Sequence, residues 1–165
     1  MMNYLIYDKS GKKQALLQNV TSIQWKPRYW ESGSAEIHAR PTAENIKYLV
    51  EHNRIVCQER GEILFIDYVQ RTDQSSDGAD MVIHGSLDNL GDRINTSTLS
   101  ITNVEEGLRK LVTQNQRGLD ITLAPAKGLT AKVTRTETTW QTLRSTFADF
   151  CQKSGLGWRQ IVKDG

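Results

Sequence analysis

The sequence predicts an α+β protein, mainly antiparallel strands with inserted helices. Two observations carry this. The first hundred residues are short runs of alternating polarity separated by polar, glycine-bearing turns. The remainder places apolar residues at helical spacing behind capping signals. These features divide the chain into a β-rich region with one short helix over 1–101 and an α/β segment over 102–165.

Asn3 to Tyr7 reads as a strand, followed by the turn Asp8 to Lys12, where Gly11 is free to take positive φ. From Val20 to Pro27, polar and apolar positions alternate around Ile23 and Trp25, giving a second strand. Glu31-Ser32-Gly33-Ser34 reads as a hairpin turn with Gly33 at positive φ. Ala35, Ile37 and Ala39 then alternate with Glu36, His38 and Arg40 on a half-buried returning strand. Thr42 caps a short helix with Ile46, Leu49 and Val50 on its apolar face, ending at Asn53. Ile55 to Gln58 and Ile63 to Arg71 form a hairpin around Glu59 to Glu62. A third polar turn, Asp73 to Asp80, leads to the strand Met81 to His84.

In the second half, Thr102 and Glu105 fit a capping box, followed by a stripe of Val104, Leu108, Leu111 and Val112. Asp120 to Leu123 and Leu129 to Val133 read as short strands. A helix starting at Thr138-Thr139 presents Trp140, Leu143, Phe147, Phe150 and Cys151 on one face and stops at Gly155. A last strand, Leu156 to Val162, runs into Asp164-Gly165. An apolar strand at the very end either pairs back into the sheet or belongs to a longer polypeptide, and the expectation here is the N-terminal fragment of a longer chain.

Composition narrows the function. A net charge of +2, from 21 basic and 19 acidic residues, predicts no nucleic-acid partner, since such binders concentrate positive charge. No apolar run approaches the ~18–20 residues that span a bilayer, so no membrane anchor is expected. The N-terminus lacks a basic n-region, which argues against a signal peptide and for synthesis in the cytosol. Cys57 and Cys151 lie inside predicted elements and read as reduced, buried thiols.

The search for catalytic chemistry yields nothing. His38, His52 and His84 are not spaced as metal ligands. Neither a CxxC, a GxSxG nor a glycine-rich phosphate loop is present. Gly85-Ser86-Leu87 lacks the second glycine and a paired base for a nucleophilic serine. The carboxylates of the first half fall in turns and at strand edges, where solvated charges normally sit. The expectation is a protein that is not an enzyme, with no catalytic residues, no metal and no cofactor. One aromatic cluster stands out: Trp25, Tyr29 and Trp30, with Lys26, Arg28 and Arg40 nearby. Aromatics among cations can stack sugars or bases, but on a hairpin they more often pack across strands.

Three motifs then line up. Arg28, Tyr29, Gly33, Glu36 and Ile37 resemble an "R-Y-x3-G-x2-E-aliphatic" pattern of siphophage tail-hub proteins, the N-terminal part of the tail-associated lysin family. The residue before the Glu is commonly Phe there and is Ala35 here. Ile55-Val56 and Ile63 to Asp67 are similar to the family's strand–turn–strand. Gly85, Leu87, Leu90, Arg93 and Ile94 are similar to its "G-x-L-x-x-L-x-x-R-I" element, with Ser86 in place of the usual Arg.

The resemblance implies a structural protein of a virion or prophage at the tail tip, made in the bacterial host cytoplasm and built on β-barrel-like hub domains. The segment 102–165 would be the start of a second, incomplete hub domain. It also implies assembly as a trimeric ring, contact with the distal tail protein and other tail-tip proteins, and fibre or lysin domains beyond Gly165. Arg93 would be buried against a carboxylate, and Trp25 and Trp30 become candidates for a subunit interface. The competing class is a carbohydrate-binding or carbohydrate-hydrolysing module using Trp25, Tyr29 and Trp30.

Overall fold

The computed structural model describes residues 3–72 and 79–162. The expected turn at 73–80 therefore lies, for 73–78, outside the described residues. Two compact units emerge. The first comprises residues 1–27, 33–88 and 159–165; the second comprises residues 28–32 and 89–158.

The first unit is a seven-stranded antiparallel sheet. Its strands are β1 (Tyr4–Tyr7), β2 (Lys13–Leu16), β3 (Val20–Lys26), β4 (Ser34–Ala39), β5 (Arg54–Cys57), β6 (Glu62–Thr72) and β7 (Asp80–Ser86). They lie in the order β2-β1-β5-β6-β7-β4-β3. The alternation read in the sequence is what buries one face: Ala35, Ile37 and Ala39 on β4 and Met81 and Ile83 on β7 join Ile6, Ile55, Leu64 and Ile66 in a single core. β2 was not legible, because its four residues show no alternation of burial.

The sheet does not close into a barrel among the described residues. β2 and β3 stand at opposite ends of the strand order and are not hydrogen-bonded to each other, so the sheet is open. It is nevertheless strongly curled. Tyr4 of β1 and Trp25 of β3 have four strands between them, yet their ring centroids are 6.4 Å apart. In a flat sheet that separation would be about 24 Å at ~4.8 Å per strand. The link Leu17 to Asn19, only three residues, joins the two edge strands.

Helix α1 (Ala43–Tyr48) is capped by Thr42, whose side chain accepts from the Asn45 amide, as the sequence implied. Its inward face differs from expectation. Ile46 and Val50 are exposed and Leu49 is buried, while the fully buried residue of the helix is Asn45. The Asn45 Nδ2 donates to the carbonyls of Gln18 and Arg40 at 2.9 and 2.8 Å, tying the β2–β3 link to the end of β4. Six residues cannot display a full helical stripe, and a backbone that needs two donors takes priority over apolar spacing.

The second unit pairs β8 (Leu99–Asn103) with β9 (Lys132–Thr138) and packs α2 (Val104–Asn115) and α3 (Leu143–Ser154) beside them. The α2 stripe of Val104, Leu108, Leu111 and Val112 is buried as read, and Leu143, Phe147, Phe150 and Cys151 of α3 complete the core. Both cysteines are free and buried. The caps are displaced from their predicted sites. Asn103, not Thr102, caps α2, accepting from the Glu106 amide at 3.0 Å, because the helix begins at Val104 and Asn103 is the residue directly before it. Thr142 caps α3 and Gly155 ends it at φ 71°. Thr138-Thr139 therefore does not begin the helix, and Trp140 precedes it, 73% exposed at φ 57°. Asp120 to Leu123 is irregular, and Leu156 to Val162 contributes only an isolated bridge between Ile161 and Glu62.

A buried polar node holds this unit together. Asn95 is fully buried and donates from Nδ2 to the carbonyl and hydroxyl oxygens of Thr138, at 2.9 and 3.1 Å. Its Oδ1 accepts from Asn115 Nδ2 at 3.2 Å and from the Ser97 amide at 3.3 Å.

Candidate functional site

The hairpin loop singled out in the sequence, Arg28 to Ser32, belongs to the second unit, whereas Trp25 and Gly33 belong to the first. The three aromatics thus have different roles. Trp25 is partly buried against the first core and beside Tyr4. Tyr29 and Trp30 form an edge-to-face pair with centroids 5.9 Å apart and remain 64% and 43% exposed. Arg28 and Glu31 flank them as a solvent-exposed ion pair at 3.9 Å, of little energetic weight.

The loop is held from an unexpected place. Trp158 donates its backbone N–H to the Tyr29 carbonyl at 3.1 Å and its indole N–H to the Trp30 carbonyl at 3.0 Å. Its ring packs edge-on against Phe147 at 5.2 Å, in the core of the unit. Gly157 lies directly under the Tyr29 ring: a Cβ there would come within 2.5 Å of Tyr29 Cε2. The exposed pair therefore stands on a platform fixed to the second core. Sequence reading missed Gly157 and Trp158 because their partners are some 130 residues away in the chain and no local pattern announces such a pairing.

Gly33 has its own requirement, different from the one expected. It is not at positive φ. Instead, a Cβ would lie 2.7 Å from the Lys26 carbonyl and 2.7 Å from Leu87 Cδ1. The Leu87 amide donates to the Gly33 carbonyl at 3.0 Å. Gly85 is constrained in the same way: a Cβ would collide with the Phe65 carbonyl and lie 2.7 Å from Leu64 Cδ1. It pairs with Ile66 beside the β6 bulge that ends at Tyr68. Close backbone approach, rather than a special dihedral, excludes a side chain at both positions.

The separated motifs meet on neighbouring strands. Ala35 lies opposite Gly85, and Glu36 opposite His84. Trp25 stands on the other side of Ala35, so a large ring, a methyl group and a glycine lie side by side in one row. Ala35 is 3% exposed, and the indole of Trp25 is the bulk in that row. Glu36 faces the outer side of the sheet. Its Oε1 is 3.1 Å from His38 Nε2 and its Oε2 is 3.5 Å from His84 Nδ1. The hydrogen bond from His38 is the main reason its carboxyl lies below the usual carboxylate range.

The remaining motif residues belong to the second unit. Leu90, on a short 3-10 turn, is buried in its core. Ile94 is 47% exposed and bridges to Thr142. Arg93 differs from expectation. It is partly buried, but its Nη1 and Nη2 donate to the carbonyls of Asp92 and Arg117 at 2.8 and 3.0 Å. Among the described residues it forms no ion pair with a carboxylate. Its work is to satisfy backbone oxygens at the end of α2.

Among the described residues no cluster of three or more His, Cys, Asp or Glu is arranged to hold a metal ion, and no helix is long and apolar enough to cross a membrane.

A family model described as Siphovirus ReqiPepy6 Gp37-like protein covers residues 3–164. A match over nearly the whole chain supports a structural protein of a siphovirus phage. No curated protein matches the chain. On the extent of that match, the protein belongs to the siphovirus ReqiPepy6 Gp37-like family.

Proposed function

We propose that this protein is a structural component of the phage tail tip, acting as a hub that assembles with copies of itself and with other tail proteins. The observation that carries the reading is the siphovirus family match over residues 3–164. The hub-like motif residues of β4 and β7 give it further support, since they sit side by side in one curled sheet. In this reading the chemistry of the motif residues is that of shape. Gly33 and Gly85 permit close strand approach, Leu87 and Leu90 feed the two cores, and Arg93 closes backbone valences. The exposed Tyr29–Trp30 pair, raised on a rigid platform, is the seam toward a neighbouring subunit. Aromatic anchors of this kind dominate protein interfaces.

A ring-forming hub is expected to be trimeric and to bind the distal tail protein. Light scattering on the purified protein, alone and mixed with that partner, tests this. The reading expects a trimer, or a complex, that weakens in Trp30→Ala. A monomer at every concentration that also ignores the partner would overturn it.

A carbohydrate-contacting surface is the competing reading. It retains Tyr29 and Trp30, which are exposed, but loses Trp25, which packs on the first core. Saturable quenching of tryptophan fluorescence by cell-wall glycans, abolished in Trp30→Ala, would favour it.

A further inference from the structure

The outer face of the seven-stranded sheet carries a charged cluster whose titration the hub reading does not use. His38 stands between two carboxylates. Its Nδ1 is 2.9 Å from Asp80 Oδ2 and its Nε2 is 3.1 Å from Glu36 Oε1. A neutral imidazole carries one N–H. With both carboxylates ionised, a neutral ring would set a nitrogen lone pair against a carboxylate oxygen at one of the two contacts. Only the imidazolium satisfies both.

The surroundings are well defined. β4 contributes Glu36 and His38, and Arg40 just beyond it donates to the Ala79 carbonyl. β7 contributes Asp80 and His84. β6 contributes Tyr68, stacked on His84 at 4.5 Å, with the neutral Gln70 and Thr72 further along. β3 contributes Lys26, which bears on Glu36, and the neutral Ser22 and Gln24. The side chains of Glu36, His38, Asp80 and His84 are between 23% and 32% exposed, so solvent protons reach them.

We propose that Asp80, His38 and Glu36 form a proton-operated latch between β4 and the start of β7, closed while His38 is doubly protonated and Glu36 ionised, and opened when His38 loses a proton. Opening removes the side-chain tie that holds Asp80, the first residue of β7, to β4.

The direction of each titration agrees with the geometry. The His38 pKa is raised, chiefly by the hydrogen bond to Asp80 and next by that to Glu36. A raised folded-state value means the contribution of His38 is fully present below the unfolded histidine value of about 6.5 and is lost as pH rises through the folded value. Glu36 is shifted down. Its contribution is present above the ordinary carboxylate value and is lost as pH falls through the lower folded one. The latch is therefore closed in a window bounded by Glu36 on the acid side and His38 on the alkaline side.

The test is an NMR titration of the histidine Cε1–H signals in the wild type, Asp80→Asn and Glu36→Gln, with amide exchange along β7 followed across the same pH range. Both substitutions keep size and hydrogen-bonding capacity. The expected result is a His38 midpoint above about 6.5 that falls by ~0.5 or more in each variant. Wild-type exchange at residues 80–83 should also rise beyond its intrinsic pH dependence above that midpoint. A His38 midpoint at or below about 6.5 that neither variant moves would overturn the proposal, as would β7 exchange indifferent to His38 titration. Neither outcome bears on the tail-tip reading.

Discussion

Gly33 and Gly85 show what one missing methyl group does in this fold. Each allows a neighbouring backbone carbonyl closer than a Cβ would tolerate. Gly33→Ala should destabilise the first unit by roughly 1–3 kcal/mol through overpacking. Gly85→Ala should cost more, because a Cβ there would come closer still to its carbonyl, that of Phe65, than one at Gly33 would to the Lys26 carbonyl. Chemical denaturation measures both, and an unchanged midpoint in either would show that the strands can part freely. The sequence marked Gly33 as special but suggested the wrong cause, since a glycine after Glu-Ser reads as a positive-φ turn and a carbonyl approaching through space leaves no local trace. Asn95 was not legible at all. It lies in a polar stretch, Asn95-Thr96-Ser97-Thr98, that looks like a loop, yet it satisfies buried groups on two distant segments, at Thr138 and Asn115. Asn95→Ala strands the Asn115 amide and should cost about 1–3 kcal/mol, read as a lowered melting temperature.

Among elements, legibility followed local periodicity. β4, β7, α2 and the core face of α3 were readable because their burial follows the period of the element. β2, the cap of α2 and the start of α3 were not, because tertiary contacts set them. Glu105 illustrates this. It was read as half of a capping box, but its carboxylate instead accepts the amides of Lys127 and Leu129, both at 2.6 Å, pinning the long connection between α2 and β9. The Lys127 amide, then that of Leu129, lowers its pKa below the ordinary carboxylate value. The pinning should therefore persist at neutral pH and fail only as pH falls through that depressed value. Glu105→Gln should accelerate hydrogen exchange at Lys127 and Leu129 at neutral pH, whereas protection equal to wild type would show that the loop is held by other contacts. The platform for the aromatic loop is a second case. Trp158→Phe keeps the packing on Phe147 but removes the indole N–H bonded to the Trp30 carbonyl. The loop should lose order while the core remains, seen as faster exchange confined to residues 28–32.

For the whole molecule, the class of fold was legible and its closure was not. Alternation gives strands but not their order; the placement of β2 and β3 at opposite ends shows that the sheet is open, and the Tyr4–Trp25 contact shows that it is curled. Of the candidate site, the sequence supplied Tyr29, Trp30 and the glycines. It could not supply Gly157, Trp158 or the pairing of His38 with Asp80, which depend on residues distant in the chain. The central claim is that this siphovirus family member is a tail-tip structural protein. The most direct measurement is immunogold electron microscopy of intact virions, using antibody raised against this chain. The account predicts gold at the distal end of the tail. Label on the capsid or along the tail tube, or none on virions from lysates that contain the protein, would contradict it.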